Sequence, residues 1–324
     1  MISREHIVIG SRGSKLALVQ SRFVLAELSK IHPDQRFELL EISTAGDRNW
    51  EIPLEGLGGA GVFVKELEDA LLRGEIDLAV HSLKDMLTTL PEGLRLAAVP
   101  ERVDPRDVLV SRSGMLAEIP AGAKIGTGSQ RRAIQIRAQR PDIEICGLRG
   151  NIETRIKRVS PEGLDGIIMA AAALIRLGME DRITEYLPPE TFVPAVGQGA
   201  LGVEIRADDT HTAEIVAPLN HEPTRQAVTA ERQFLKAMGG GCRAPIAALG
   251  TVADRTLSLS GMVASPDGSE ILSAEVAGVF SAPEEAGDRL AQEMIGLGAN
   301  DLLAGKKRCW SEKYGSEGYN RQRD

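Results

Sequence analysis

Aromatic side chains are scarce: 6 Phe, 3 Tyr and 2 Trp in 324 residues. So few rings cannot furnish a base-stacking platform. Basic charge is also short, with 38 Lys+Arg against 46 Asp+Glu and a net charge of −8, which works against binding a phosphate backbone. The two deficits together exclude nucleic acid as the expected partner. Long apolar runs are missing too. The longest, Ile167 to Ile175, is far too short to span a bilayer. The short run Ile7 to Ile9, after a mixed-charge start, has the form of neither a secretory signal nor a transit peptide. The expectation is a soluble cytoplasmic protein with no membrane partner. Three cysteines, Cys146, Cys242 and Cys309, are an odd number without close spacing, which suits a reducing compartment. The histidines form no H-x-x-x-H pair and no C-x-x-C occurs, so no metal site is expected.

What the chain does have is a hydrophobic fraction of 43%, ample for folded cores, and a length that suits two or three domains. From residue 7 to about 100, short apolar runs alternate with amphipathic stretches, the signature of an α/β layer with mainly parallel strands. Ile7 to Ile9 reads as a strand. Ser14 then reads as the N-cap of a helix with Leu16, Val19, Phe23 and Ala26 at helical spacing. Phe37 to Ile42 and Ile76 to Val80 read as further strands, with a helix carrying Phe63, Leu67, Ala70 and Leu71 between them. A second cycle runs from about 105 to 200, with strands near Val108 to Val110, Lys124 to Thr127, Ile143 to Cys146 and Gly166 to Ala170. Leu201 to Ile205 reads as a strand returning to the first lobe. From about 220 the texture changes to a long helix (Thr224 to Met238), a Gly239-Gly240-Gly241-Cys242 loop, three alternating segments and a closing helix with Leu290, Met294 and Leu297, the pattern of a small α+β domain with an antiparallel sheet. The expected domains are 1–100 with 201–219, 101–200 and 220–304, followed by a polar tail, 305–324, whose composition predicts disorder.

Three groups of residues can carry chemistry. His81-Ser82-Leu83-Lys84-Asp85 follows a predicted strand directly, and open α/β sheets bind ligands at that edge. Arg12, at the end of the first strand, would share the cleft mouth. Arg131, Arg132, Arg149, Arg155 and Arg176 fall in a stretch, Lys124 to Arg182, with eleven basic and seven acidic residues inside an acidic chain. Several sit at strand-to-helix turns, where guanidinium forks and helix N-termini suit carboxylates or phosphates; solvated helix faces are the plainer reading. Cys242, after three glycines and beside Arg243, reads as an accessible thiol, whereas Cys146 at the end of an apolar strand reads as core. Gly56-Leu57-Gly58-Gly59-Ala60-Gly61 matches G-x-G-x-x-G, but Pro53 and two acids precede it where a buried strand should be, so a surface loop or lid is the better reading.

These residues resemble the porphobilinogen deaminase (hydroxymethylbilane synthase) family over about 7–300. The resemblance rests on Gly10-Ser11-Arg12-Gly13-Ser14, Phe63-Val64-Lys65-Glu66-Leu67-Glu68, Ala79 to Asp85, Asp104-Pro105-Arg106-Asp107, Gly126 to Arg132, Leu148-Arg149-Gly150-Asn151 with Thr154-Arg155, Arg176-Leu177-Gly178, Pro194 to Gly199, Glu231-Arg232 and Gly240-Gly241-Cys242. It implies two periplasmic-binding-protein-like lobes plus a small third domain, and a transferase that condenses four porphobilinogen units into hydroxymethylbilane, releasing four ammonia, in tetrapyrrole biosynthesis. It implies a dipyrromethane cofactor held by a thioether to Cys242, and Asp85 as the catalytic carboxylate, stabilising a cationic azafulvenium and accepting the proton lost on bond formation. By resemblance Lys84, Asp85, Ser129, Arg131 and Arg132 serve the cofactor, and Arg12, Ser14, Ser82, Thr127, Arg149, Arg155, Arg176 and Gln198 serve the substrate. It further implies a monomer and a transient hand-off to uroporphyrinogen-III synthase. One departure stands out: Ala60 and Gly56 occupy positions where the family usually carries lid lysines, with Arg48 a candidate substitute. The rival readings are a binding protein for a polyanionic small molecule and a regulatory descendant that keeps the fold only.

Overall fold

The computed structural model describes residues 6–43, 64–240 and 244–305. The chain starts with β1 (His6–Arg12), α1 (Lys15–Ile31), β2 (Arg36–Ile42), α2 (Lys65–Leu72), β3 (Leu78–Ser82) and β4 (Leu94–Ala98). It crosses to β5 (Asp107–Ser111), β6 (Lys124–Thr127), α3 (Gln130–Gln139), β7 (Glu144–Gly147), α4 (Ile152–Ile156), β8 (Gly166–Ala170), α5 (Ala171–Arg176) and β9 (Glu185–Tyr186). It then returns as β10 (Leu201–Arg206) and α6 (Thr210–Val216).

The two resulting five-stranded sheets share one plan. In the first, ordered β2-β1-β3-β10-β4, β1 pairs in parallel with β2 and β3, and β10 is antiparallel to both β3 and β4. In the second, ordered β7-β6-β8-β5-β9, β6 pairs in parallel with β7 and β8, and β5 is antiparallel to both β8 and β9. The antiparallel strand of each sheet is therefore the one that arrives from the other sheet, which ties the lobes through two crossing segments, 99–106 and 187–200. The parallel strands are short apolar runs, such as the wholly buried Gly166–Ala170, as expected where both faces are covered.

The third unit consists of α7 (Glu222–Ala237), an antiparallel sheet β11-β12-β13 (Ile246–Ala253, Thr256–Ala264, Ile271–Val279), α8 (Pro283–Gly296) and α9 (Ala299–Leu303). Phe234, Leu257, Leu259, Val263, Leu290 and Met294 share its core. The fold class thus matches the sequence reading: two α/β lobes and a small α+β unit.

Three details differ from the expectations. Helix α1 buries Ala17, Gln20, Ser21, Val24 and Leu28, while Phe23 is 46% exposed. The buried face is polar at its centre because Gln20 Nε2 donates to Ser82 Oγ at 2.9 Å, and Ser82 Oγ donates to Gln20 Oε1 at 3.1 Å. A satisfied amide can occupy a buried position that the apolar stripe did not mark. Leu297 caps α8 and is 40% exposed, so Leu290 and Met294 carry that helix's burial. Cys146 is half-buried and lines the cleft between the sheets, because β7 is an edge strand of its sheet.

Candidate functional site

The crossing segments press against the turn that follows β3. Gly197 adopts φ +71°, and a Cβ there would lie 3.2 Å from the backbone of Leu83 and Lys84. Gly199, at φ +88°, would put a Cβ 2.3 Å from the Val103 carbonyl. Both positions need glycine for conformation and for room. The Leu83 N–H donates to the Ala200 carbonyl at 3.0 Å, which fixes the short helical turn Leu83–Asp85 to the start of β10.

Local caps set the other side chains. Ser14 caps α1, its hydroxyl accepting from the Ala17 N–H at 3.3 Å. Ser129 caps α3 by accepting from the Arg132 N–H at 3.4 Å, and Asn151 caps α4 by accepting from the Thr154 N–H at 2.8 Å. These caps start helices at the carboxyl edges of β1, β6 and β7, so the helix N-termini and the side chains around them face one space.

That space is a cavity of about 1880 Å³ between the two lobes. Arg12 and Ser14 line it from the first lobe; Thr127, Ser129, Arg132, Arg149 and Arg155 line it from the second. Ser82, Lys84, Arg176 and Gln198 line a smaller pocket, and Leu16 borders both. Asp85 borders neither, but it lies close enough to raise the affinity of Lys84 and Arg155 for their protons. Lys15 of α1 forms an exposed ion pair with Glu153 of α4 across the cleft mouth.

Burial shapes the charges. The Lys84 ammonium is brought down to about 8 by burial, with Arg132 and Arg131 acting the same way and Asp85 and Asp107 opposing them. Burial brings the Arg176 guanidinium down to about 10; its hydrogen bond goes to the Gly199 carbonyl at 2.8 Å. Arg155 is lowered by burial and by Arg132 and Arg149, and its Nε donates to the Gly150 carbonyl at 2.7 Å. Arg131 stands apart from the cavity wall. It is 5% exposed, donating to the Val193 carbonyl at 2.6 Å and pairing with Asp107 at 2.7 Å.

Asp107, which pairs with both Arg131 and Arg132, is a site residue the sequence reading missed. Its signal was an acid directly before the apolar run Val108-Leu109-Val110, since a carboxylate at the head of a buried strand needs a buried partner. The Arg102–Glu231 pair was also missed. Arg102 Nη1 donates to Glu231 Oε1 at 2.6 Å and its Nε to the Gln198 carbonyl at 2.7 Å. The wholly buried Glu231 accepts further from the Gly197 N–H at 2.6 Å and the Gly250 N–H at 2.8 Å. One carboxylate thereby joins both crossing segments to the third unit. Cys242, Ala60, Gly56 and Arg48, the G-x-G-x-x-G stretch and the tail from 306 onward lie outside the described residues. Among the described residues no cluster of His, Cys, Asp and Glu could hold a metal ion, and no helix is long and apolar enough to cross a membrane.

Comparison with known proteins matches residues 7–214 to the family described as porphobilinogen deaminase, dipyromethane cofactor binding domain. Residues 225–296 match porphobilinogen deaminase, C-terminal domain. The chain is 49% identical to the porphobilinogen deaminase of Syntrophobacter fumaroxidans, over 92% of this chain and 96% of that protein. It is 48% identical to that of Geobacter metallireducens, over 91% and 93% respectively. Among solved structures, the BenM effector binding domain with benzoate aligns at 16% identity and a TM-score of 0.40, over 65% of this chain and 87% of that one. YhfZ from Shigella flexneri aligns at 16% and 0.37, over 73% and 92%. Scores this low assign neither fold nor function.

Proposed function

Since this chain belongs to the porphobilinogen deaminase family, we propose that its interlobe cleft joins four porphobilinogen molecules head to tail into hydroxymethylbilane, with release of four ammonia and uptake of one water that supplies the terminal hydroxyl. This is a transferase reaction of tetrapyrrole biosynthesis. The observation that carries the reading is the gathering of Arg12, Arg132, Arg149 and Arg155 on one cavity of about 1880 Å³, with Asp85 close enough to act on both Arg155 and Lys84 of the adjoining smaller pocket. We divide the chain into domains at 1–100 with 201–219, 101–200 and 220–304, one around each sheet.

Each pyrrole ring carries an acetate and a propionate, so the ligand gains acids as it grows. The cleft fits such a ligand. Arg176 is sheltered enough for burial to lower it to about 10, and among the described residues no carboxylate opposes that shift. A partly buried cation without a carboxylate partner favours an incoming anion. The same argument tests the dipyrromethane cofactor, whose acid arms Lys84, Ser129, Arg131 and Arg132 would hold, with attachment through Cys242. When bound, that group supplies a nucleophilic pyrrole α-carbon to the reaction. Helix α7 ends at Met238, and Gly239 turns the backbone through φ +63° just ahead of the cysteine.

The residues of the chain divide the work. Arginine forks hold the acid arms and convert encounter into proximity, with Ser14, Ser82 and Thr127 as hydrogen-bond partners and Gln198 bracing Arg132. Asp85 faces the pyrrole N–H of the incoming porphobilinogen. As the aminomethyl nitrogen leaves, positive charge develops on the ring nitrogen, and a sheltered carboxylate stabilises it far better than water does. The same carboxylate accepts the proton released when the new carbon–carbon bond restores aromaticity. We propose that the protein acts as a monomer and that its product passes to uroporphyrinogen-III synthase.

Intact-mass measurement tests this reading. Protein from cells able to make porphobilinogen is expected to carry an adduct of two pyrrole units that disappears in Cys242→Ala. A bare wild-type chain would favour a binding protein for polyanions instead.

A further inference from the structure

Asp107 has no exposed surface and stands at the head of β5, facing two guanidiniums at once. Arg132 Nε and Nη2 donate to its Oδ1 at 2.8 and 2.6 Å. Arg131 Nη2 lies 2.7 Å from its Oδ2. Gln198, from the returning crossing segment, donates to Oδ1 at 3.0 Å, and its own Oε1 lies 3.3 Å from Arg132 Nη2. The two arginines are 5% and 7% exposed. Buried cations so close together repel strongly unless an anion lies between them. This inference rests on the function proposed above. We propose that Asp107 is the positioning residue of the cleft: it fixes the Arg132 fork at the cavity wall, anchors Arg131 behind it, and offsets their charge beside Lys84 and Asp85.

Burial alone would raise the Asp107 carboxyl, but Arg131 and Arg132 outweigh it and hold the group below the ordinary carboxylate range. The anion therefore persists at neutral pH. Its absence would change more than geometry. Lys84 is acted on by Asp85, Arg132, Asp107 and Arg131. Without Asp107 the two guanidiniums still repel the ammonium and one of its attractions is gone, so Lys84 would lose its proton at a lower pH.

Asp107→Asn in the holoenzyme tests this with two readouts across about pH 6 to 9. One is steady-state turnover of porphobilinogen; the other is acylation of Lys84 by a small amine-reactive ester, followed by peptide mass spectrometry. The expected result is a kcat lowered about tenfold or more with KM within about twofold, and a Lys84 labelling midpoint moved down by about one pH unit. Asp107→Glu is expected to recover part of the kcat. If Asp107→Asn does not fold, the charge-balanced Asp107→Asn/Arg131→Gln variant is used; its labelling midpoint is expected near the wild-type value, and its kcat should stay low because Arg132 has lost its clamp. Wild-type kcat in either variant overturns the proposal. So does an unmoved Lys84 midpoint in Asp107→Asn, which would leave a merely structural role. Should the wild-type protein itself turn over no porphobilinogen, the functional reading fails, and the Lys84 midpoint still decides whether Asp107 sets the charge of the cleft.

Discussion

Behind the turn that carries Asp85, the first lobe buries acids; behind its cleft wall, the second buries cations. In the first, His81 Nε2 lies 3.0 Å from Glu204 Oε2, and Glu68 of α2 is close enough to feel both residues. Among the described residues Glu68 Oε1 and Glu204 Oε1 are buried without a hydrogen-bond partner. In the second, Arg131 and Arg132 surround Asp107. The two sheets have the same strand plan, so the difference does not come from topology. It comes from which residue types the sequence places at equivalent depths, and it sorts the labour. In the proposed reading, the carboxylate assigned to the developing cation stands on the lobe with an acidic interior, and Arg132, Arg149 and Arg155, assigned to substrate acids, stand on the lobe with a basic one, joined from the first lobe by Arg12 and Lys84.

The largest stability effect is expected where the lobes are joined. Arg102→Met would leave the buried Glu231 with only backbone partners among the described residues, a loss of about 3–5 kcal/mol in urea unfolding. A change under about 1 kcal/mol would mean that the crossing segments do not depend on this pair, and the comparison would lose its fixed frame.

Glu68→Gln probes the acidic interior. Burial, then Glu204, raises the Glu68 carboxyl from 4.5 to about 7, with His81 opposing. A folded-state value raised above the unfolded one contributes stability that is complete below 4.5 and lost as pH rises through about 7. Glutamine does not titrate. The variant is therefore expected to match wild type near pH 4 and to exceed it by up to about 3 kcal/mol near pH 8. Equal stabilities at both pH values would show that the first lobe tolerates its buried carboxylates as ions, and the contrast between interiors would fail.

The smallest effect is expected at the cleft mouth. Lys15→Ala removes an exposed pair with Glu153, whose partners are 67% and 44% exposed. Its cost should be under about 1 kcal/mol and should vanish in high salt. A larger, salt-insensitive loss would mean that the lobes are held shut by this latch rather than by the crossing segments.

Much of this architecture was legible in the sequence because buried parallel strands are short apolar runs bounded by glycine and polar turns. Strands β3, β6 and β8 lie close to where those runs end. Strand β4 was not, since Leu94-Arg95-Leu96 follows a Pro-Glu-Gly turn and reads as loop; β9 is two residues long. The arginine set was legible from its placement at strand-to-helix turns, and seven of the anticipated residues do share one cavity. Asp107, Gln20 and Arg102 were not, because a buried polar residue declares itself through its partner, and those partners lie 25, 62 and 129 positions away. Periodicity reports which face is apolar; it does not report which polar side chain is satisfied inside.

The central claim is that a carboxylate on the acidic lobe stabilises the cation formed when porphobilinogen loses its amine. Asp85→Asn, folded and as stable as wild type, tests it in single-turnover measurements of porphobilinogen consumption. The account predicts a rate lowered by about 10²–10³ with substrate binding little changed. Consumption at the wild-type rate would contradict it.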